Sequence, residues 1–237
     1  MNAFAQRVAW TRFKFGLQAS PTVSWLKTDN PKIGNNGFNT GLKLGATADY
    51  YFLENYALST GIGFGFNHGG KLYHEQGGKF LANSTLTDDK YNSGDKPLPD
   101  QVNIRYHIQY LEIPFALKMR TQPFGYFRIF AHAPIITLGW RNQARADITA
   151  EDLNLKKENI KKDVNPLLLS WGLGGGTEYE LNPSTSLVAG LYYQRVFTDV
   201  TRDRKNFTVT NDNPYTTKSE NSKAVLNAIT LRLGVIF

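Results

Sequence analysis

The final nine residues, Ile229-Thr230-Leu231-Arg232-Leu233-Gly234-Val235-Ile236-Phe237, alternate apolar and non-apolar side chains, with Ile236 the one exception. A strand repeats every two residues, so Ile229, Leu231, Leu233, Val235 and Phe237 share one face while Thr230, Arg232 and Gly234 share the other. The same period recurs along the chain. Phe13 to Leu26 sets Phe13, Phe15, Leu17, Val23 and Trp25 against Lys14, Gly16, Gln18, Thr22 and Ser24. Phe38 to Phe52 sets Leu42, Leu44, Tyr50 and Phe52 against Gly41, Lys43, Gly45 and Asp49. Tyr56 to about Tyr73, Leu167 to Leu181, Ser186 to about Phe197 and Lys223 to Phe237 follow the same rule.

Two further segments are less regular. In Gln101 to Arg120 the apolar set shifts phase near Tyr110-Leu111, from Ile104, Tyr106 and Ile108 to Leu111, Ile113, Phe115 and Leu117. One inserted residue would do this, which predicts a β-bulge. In Tyr126 to Trp140 both faces carry apolar residues. Short turns at 53–55, 121–125 and 182–185 alternate with longer polar connections at 27–37, 74–100, 141–165 and 198–222. The run from Ala150 to Lys161 has the composition of a short helix.

The solvent follows from which face is apolar. Mean hydropathy is -0.38, and no run approaches the ~18 apolar residues of a helical span. A spanning strand needs only ~9–11 alternating residues. A soluble barrel of the lipocalin kind buries its apolar face. Rows such as Gly61, Gly63, Gly65 and Gly172, Gly174, Gly176 cannot fill an apolar core, but they leave room for large polar side chains from neighbouring strands. Lipid outside and a polar interior is therefore the expected arrangement. The fold class is all-β: an eight-stranded antiparallel up-and-down transmembrane β-barrel in the outer membrane of a Gram-negative bacterium. Its four long loops are external and its short turns periplasmic. Residues 13–237 form this single domain, and residues 1–12 an N-terminal arm or signal-peptide remnant, since Ala3-Phe4-Ala5-Gln6 fits a small-x-small cleavage pattern. With no cysteine, a disulfide framework is excluded.

The formal charge is +7, yet the long loops balance to within one charge, so the excess base lies in the barrel body and the loops show no polyanion-binding surface. A basic pI without a basic run argues against nucleic acid. Lys14, Asp49, Glu112, Lys118, Arg128, Glu178 and Arg232 fall on inward positions toward the periplasmic end. They are expected to form a luminal salt-bridge plug, because eight strands enclose little more than their own side chains; a gate or anion-leaning pore is the alternative. His68 and His74 lack metal-ligand spacing and read as loop-rim residues, and Asp88, Asp89, Asn92 and Asp95 match a calcium loop in composition only. His132 can face the lumen with Glu112 and Arg128, but no Ser is spaced to complete a triad. No catalytic, cofactor or metal residues are expected. Trp10, Trp25, Trp140 and Trp171, with Tyr50, Tyr51, Tyr56, Tyr179, Tyr192 and Tyr193, read as interfacial belts.

Tyr110-Leu111-Glu112-Ile113-Pro114, followed by Phe115-Ala116-Leu117-Lys118, then Gly41-Leu42-Lys43-Leu44-Gly45 and the late Thr198-Asp199-Val200, resemble the PorT-like outer-membrane β-barrel family of Bacteroidota. The resemblance covers essentially the whole chain. It implies an eight-stranded barrel without catalytic residues, and Phe237 as a recognition residue for the assembly machinery. The namesake takes part in protein secretion across the outer membrane, whereas the family as a whole has no single function. The expected role is thus a non-enzymatic envelope interaction protein, or an accessory subunit of an assembly or secretion machine. Its partners would be outer-membrane lipid, the assembly machinery through the last strand, and an envelope protein through the long loops. A small pore and a barrel enzyme are the alternatives.

Overall fold

The computed structural model describes residues 12–92, 96–203, 205–210 and 216–237. The expectations for Met1 to Gln6, Trp10 and Asp95 lie outside these. The strands are β1 (Phe13–Thr28), β2 (Ile33–Leu53), β3 (Tyr56–His74), β4 (Gly78–Lys79), β5 (Val102–Arg120), β6 (Phe127–Ala150), β7 (Leu153–Asn159), β8 (Leu167–Asn182), β9 (Thr185–Val196), β10 (Phe207–Thr210), β11 (Thr216–Ser219) and β12 (Ala224–Ile236). Eight of them form a closed antiparallel ring in the order β1, β2, β3, β5, β6, β8, β9, β12. The last strand closes it, with Leu17 opposite Val235 and Thr28 opposite Ala224. Phe15 and Phe237 exchange backbone hydrogen bonds of 2.9 and 2.8 Å. Closure leaves no free sheet edge, which is what allows strands to cross a medium that cannot hydrogen-bond them.

The strands are longer than a crossing requires. β6 runs ten residues past Trp140, and β2 begins at Ile33 rather than Phe38. Much of 141–165 and of 27–37 is therefore strand, not loop. The reason lies in a reversal of polarity that β5 shows most clearly. Its even-numbered residues point inward throughout. Ile104, Tyr106, Ile108 and Tyr110 are buried there, and Glu112, Pro114, Ala116 and Lys118 continue the same inner row. The odd row reads Asn103, Arg105, His107, Gln109, then Leu111, Ile113, Phe115, Leu117. The expected β-bulge at Tyr110-Leu111 is therefore absent from β5. The apolar set changes face because the surroundings change: apolar outside toward the short turns, apolar inside toward the long loops. The extra residues lie on the neighbours, between Gly65 and His68 of β3 and between Arg141 and Gln143 of β6. β3 and β6 invert at the same height, passing from outward Phe64, Phe66, Leu138 and Trp140 to inward Leu72, Ala144, Ala146 and Ile148.

Beyond the inversion the barrel interior is a packed core. Leu26, Leu72, Ile104, Tyr106, Ile108, Ala146, Ile148, Leu168, Val196 and Leu226 fill it, capped by Phe80, Leu81, Leu86 and Leu98 from the 75–101 connection. Buried polar residues tie three of the long connections together. Asp163 accepts from the Asn83 backbone N–H at 2.9 Å and from the Ser84 hydroxyl. Glu158 accepts from Thr87 N–H at 2.9 Å, and Asn206 Nδ2 donates to Phe80 O at 2.8 Å. The expected helix over 150–161 is the hairpin strand β7, because Leu153 and Leu155 alternate and pair back on Ala150 and Ile148. β4, β10 and β11 make a small second sheet on the cap. Asp88 and Asp89 belong to a 3-10 turn, where the Asp88 side chain accepts from Lys90 N–H.

Candidate functional site

The lumen is built in layers. Nearest the short turns, the Lys118 ammonium lies 2.6 Å from Asp49 and 2.5 Å from Glu178, all three buried, and Ser59 donates to Asp49 as well. Each comes from a different wall of the ring: β5, β2 and β8. Lys14 and Arg128 stand directly across from Asp49 and Glu178 in their ladders, but both carboxylates turn to Lys118. The Arg120 guanidinium stacks on Tyr51 at 4.0 Å and reaches Glu178 at 4.0 Å. Ile236, the exception in the terminal alternation, is an inward residue that packs with Phe130 and Val188 beside this layer. Phe237 projects outward from the same end and is exposed.

Four of the seven charges expected in one cluster stand elsewhere or at its margin. Glu112 lies six residues before Lys118 on β5, toward the long loops, roughly 20 Å of strand. It pairs instead with Lys43 at 2.8 Å, and Lys43 also donates to Gln194 at 2.6 Å. Arg232 donates to the Tyr192 hydroxyl at 3.1 Å, which also meets His132 Nδ1 at 2.7 Å. Lys14 and Arg128 remain at the margin. Between the upper and lower layers is a cavity of about 110 Å³, lined by Ser20, Lys43, Glu112, His132, Tyr192 and Arg232.

Of the glycine rows, Gly174 makes room for a large side chain from the neighbouring strand, while Gly61, Gly172 and Gly176 lie against neighbouring backbone. The ring of Tyr192 lies where a side chain on Gly174 would go, and His68 lies against Gly65. Tyr51 and Tyr192 are therefore luminal rather than belt residues, and His68 and His74 are buried rather than on a rim. Sequence period alone places Tyr192 inside, with Gly174 opposite it as the available signal; the same period places His68 outside, and the extra residue between Gly65 and His68 turns it inward. Burial among Phe80 and the cap pushes His74 down to about 3, so it is neutral at physiological pH. His107, outside the barrel wall, is shared between Asn67 at 2.5 Å and Asp147 at 3.2 Å. Among the described residues no group of three or more His, Asp or Glu is arranged to hold a metal ion.

The outer face below the inversion is apolar all round, from Phe13, Leu44, Phe64 and Phe115 to Ile129, Leu173, Leu191 and Leu231. Aromatic pairs line its short-turn rim, with Phe13–Tyr50 at 4.8 Å and Phe127–Tyr179 at 4.9 Å. Trp25, Trp140 and Trp171 lie toward its other rim. A soluble protein does not expose such a continuous band.

No protein of curated function matches the chain in sequence. Among solved structures, neisserial surface protein A is 12% identical with a TM-score of 0.43, covering 94% of this chain and 95% of that one. A major outer membrane protein from Thermus thermophilus is 16% identical, TM-score 0.42, covering 95% and 98%. The outer membrane protease OmpT from Escherichia coli is 10% identical, TM-score 0.42, covering 95% and 96%. Likenesses this distant bear on neither function nor mechanism. The family model described as an outer membrane protein beta-barrel domain matches residues 4–202, most of the chain. With an apolar belt outside and a ring of eight strands behind it, this chain belongs to that family and spans the outer membrane of a Gram-negative bacterium, long loops outward and short turns to the periplasm.

Proposed function

We propose that this protein is a non-enzymatic envelope interaction protein that presents a rigid extracellular cap to a protein partner. The observation that carries the reading is the packed core above the membrane. Strands continue past the lipid, their inner rows turn apolar, and three loops lock onto them through Asp163, Glu158 and Asn206. A channel would need an open lumen here, and a freely mobile loop would not need this core. The PorT-like resemblance favours one version of the role, an accessory subunit of an assembly or secretion machine. The histidines support the non-enzymatic reading: His132 is engaged by Tyr192, His107 by Asn67 and Asp147, and His74 is packed against Phe80. Purification from native membranes in mild detergent, followed by mass spectrometry, tests the proposal. A stoichiometric envelope protein should co-purify and be lost when the 80–92 segment is replaced by a short linker. A chain that always purifies alone would count against it.

A further inference from the structure

Arg232 borders the luminal cavity without a counter-charge. It forms no ion pair among the described residues. Its Nη1 donates to the Tyr192 hydroxyl at 3.1 Å and its Nη2 to Thr47 Oγ1 at 3.4 Å, both neutral acceptors. Its Nε–H is buried and has no partner among the described residues. Taking a charge out of water is costly unless an opposite charge answers it. The cavity of about 110 Å³ supplies none. Its other charged lining residues, Lys43 and Glu112, are paired with each other at 2.8 Å. The lining is left with one positive charge in excess.

The neighbouring histidine adds a second donor. Tyr192 Oη accepts from Arg232, and His132 Nδ1, 2.7 Å away, is the acceptor within reach of the hydroxyl's own proton. The imidazole proton of neutral His132 therefore sits on Nε2. That Nε2–H has no partner among the described residues, although His132 is 2% exposed. Ser20 is also 2% exposed, and its hydroxyl is likewise unpartnered. All three residues line the one cavity. Buried donors in folded proteins are nearly always satisfied. Here three of them face a space that carries a surplus positive charge, so the ligand class is anionic. The space is ample, since a single water needs ~10–15 Å³. We propose that the cavity binds a small monovalent inorganic anion such as chloride, held by Arg232, His132 and Ser20. One negative charge balances the lining, whereas a divalent anion would overshoot. The bound anion would link the closing strand β12 to β6 and β1, and so help to lock the ring.

Crystals of the full chain grown in sodium bromide test this, because bromide replaces chloride and scatters anomalously. A bromide peak is expected within hydrogen-bond reach of Arg232 Nε and His132 Nε2. Thr47→Asp should abolish it while leaving Arg232 in place, because it sets a carboxylate where Arg232 already has a contact. The anion should also stabilise the barrel in detergent. With gluconate holding the ionic strength constant, each tenfold rise in chloride above half-saturation should raise the folded-to-unfolded ratio of wild type by about tenfold. Thr47→Asp should show no such rise. Should Thr47→Asp fail to fold, Arg232→Gln serves, with the same two losses expected. Water alone at the site in bromide-grown crystals overturns the proposal. So does a bromide peak that persists in a folded variant, or a chloride dependence equal in wild type and variant.

Discussion

At the scale of single residues the barrel depends on how it treats buried charge. Lys118 serves Asp49 and Glu178 at once, across three strands that are distant in sequence. Removing one member of a buried set leaves the others uncompensated, a loss of about 3–5 kcal/mol. Lys118→Ala should therefore lower stability in detergent by that order, read as the urea midpoint of refolding. Neutralising the whole set, Lys118→Met with Asp49→Asn and Glu178→Gln, should recover most of it. If the single variant proves as stable as wild type, the layer is not holding the walls together. The inward direction of all three residues was legible from the period of two. Their mutual contact was not, because the ladder neighbours Lys14 and Arg128 were equally good partners on paper.

At the scale of elements, the polarity reversal of β5 marks where lipid stops. Phe115 faces lipid near the middle of the crossing, while Arg105 lies on the same face of the same strand above it. Phe115→Arg should cost about 2–4 kcal/mol in folding into bilayers, as a cation does at the membrane midplane. Arg105→Phe should leave insertion intact. Equal effects in a bilayer refolding titration would mean that the boundary is misplaced. The phase change at Tyr110-Leu111 was visible in sequence, but a bulge and a change of solvent give the same string of letters, and only the strand's constant phase separates them.

The cap element carries its own pH dependence. Burial, with Glu220 and Asp199 close by, pushes Asp203 up to about 7 from an ordinary 3.8. Between those values the folded cap holds a proton that the unfolded chain releases, so its stability falls as pH rises through the window. His74, held down to about 3 from 6.5, acts in the opposite direction over about pH 3 to 6.5 and is unchanged by substitution at Asp203. Asp203→Asn should thus slow proteolysis of the cap at pH 8 relative to wild type, and the two should converge near pH 4. A gap that instead widens on acidification would contradict this.

At the scale of the whole molecule, the lumen is closed twice: by the Lys118 layer near the periplasm and by the apolar core outside. The cavity between them, about 110 Å³, is lined by Lys43, Glu112, His132, Tyr192 and Arg232. Planar-bilayer recordings should show no steady conductance, and neutralising the charge layer alone should not create one, because the outer core still seals the barrel. Stable single-channel steps from wild type would revive the pore reading. Loop-sized stretches of sequence concealed the outer seal. Residues 141–150 and 153–159 read as polar connection because their apolar members, Ala144, Ala146, Ile148, Leu153 and Leu155, are sparse and face the inside of a structure the local pattern does not reveal.

The sequence by itself determined the eight membrane-crossing strands of the ring, the lipid-facing side and the end at which the loops gather. These follow from a period of two and from alternating connection lengths, both local properties. Only the tertiary structure decided which inward charges meet, where the membrane ends, and that the loops and the strand extensions form one packed cap. Those are choices among residues far apart in the chain. Several partners of the right chemistry compete for them, and the closure of the ring brings just one set together.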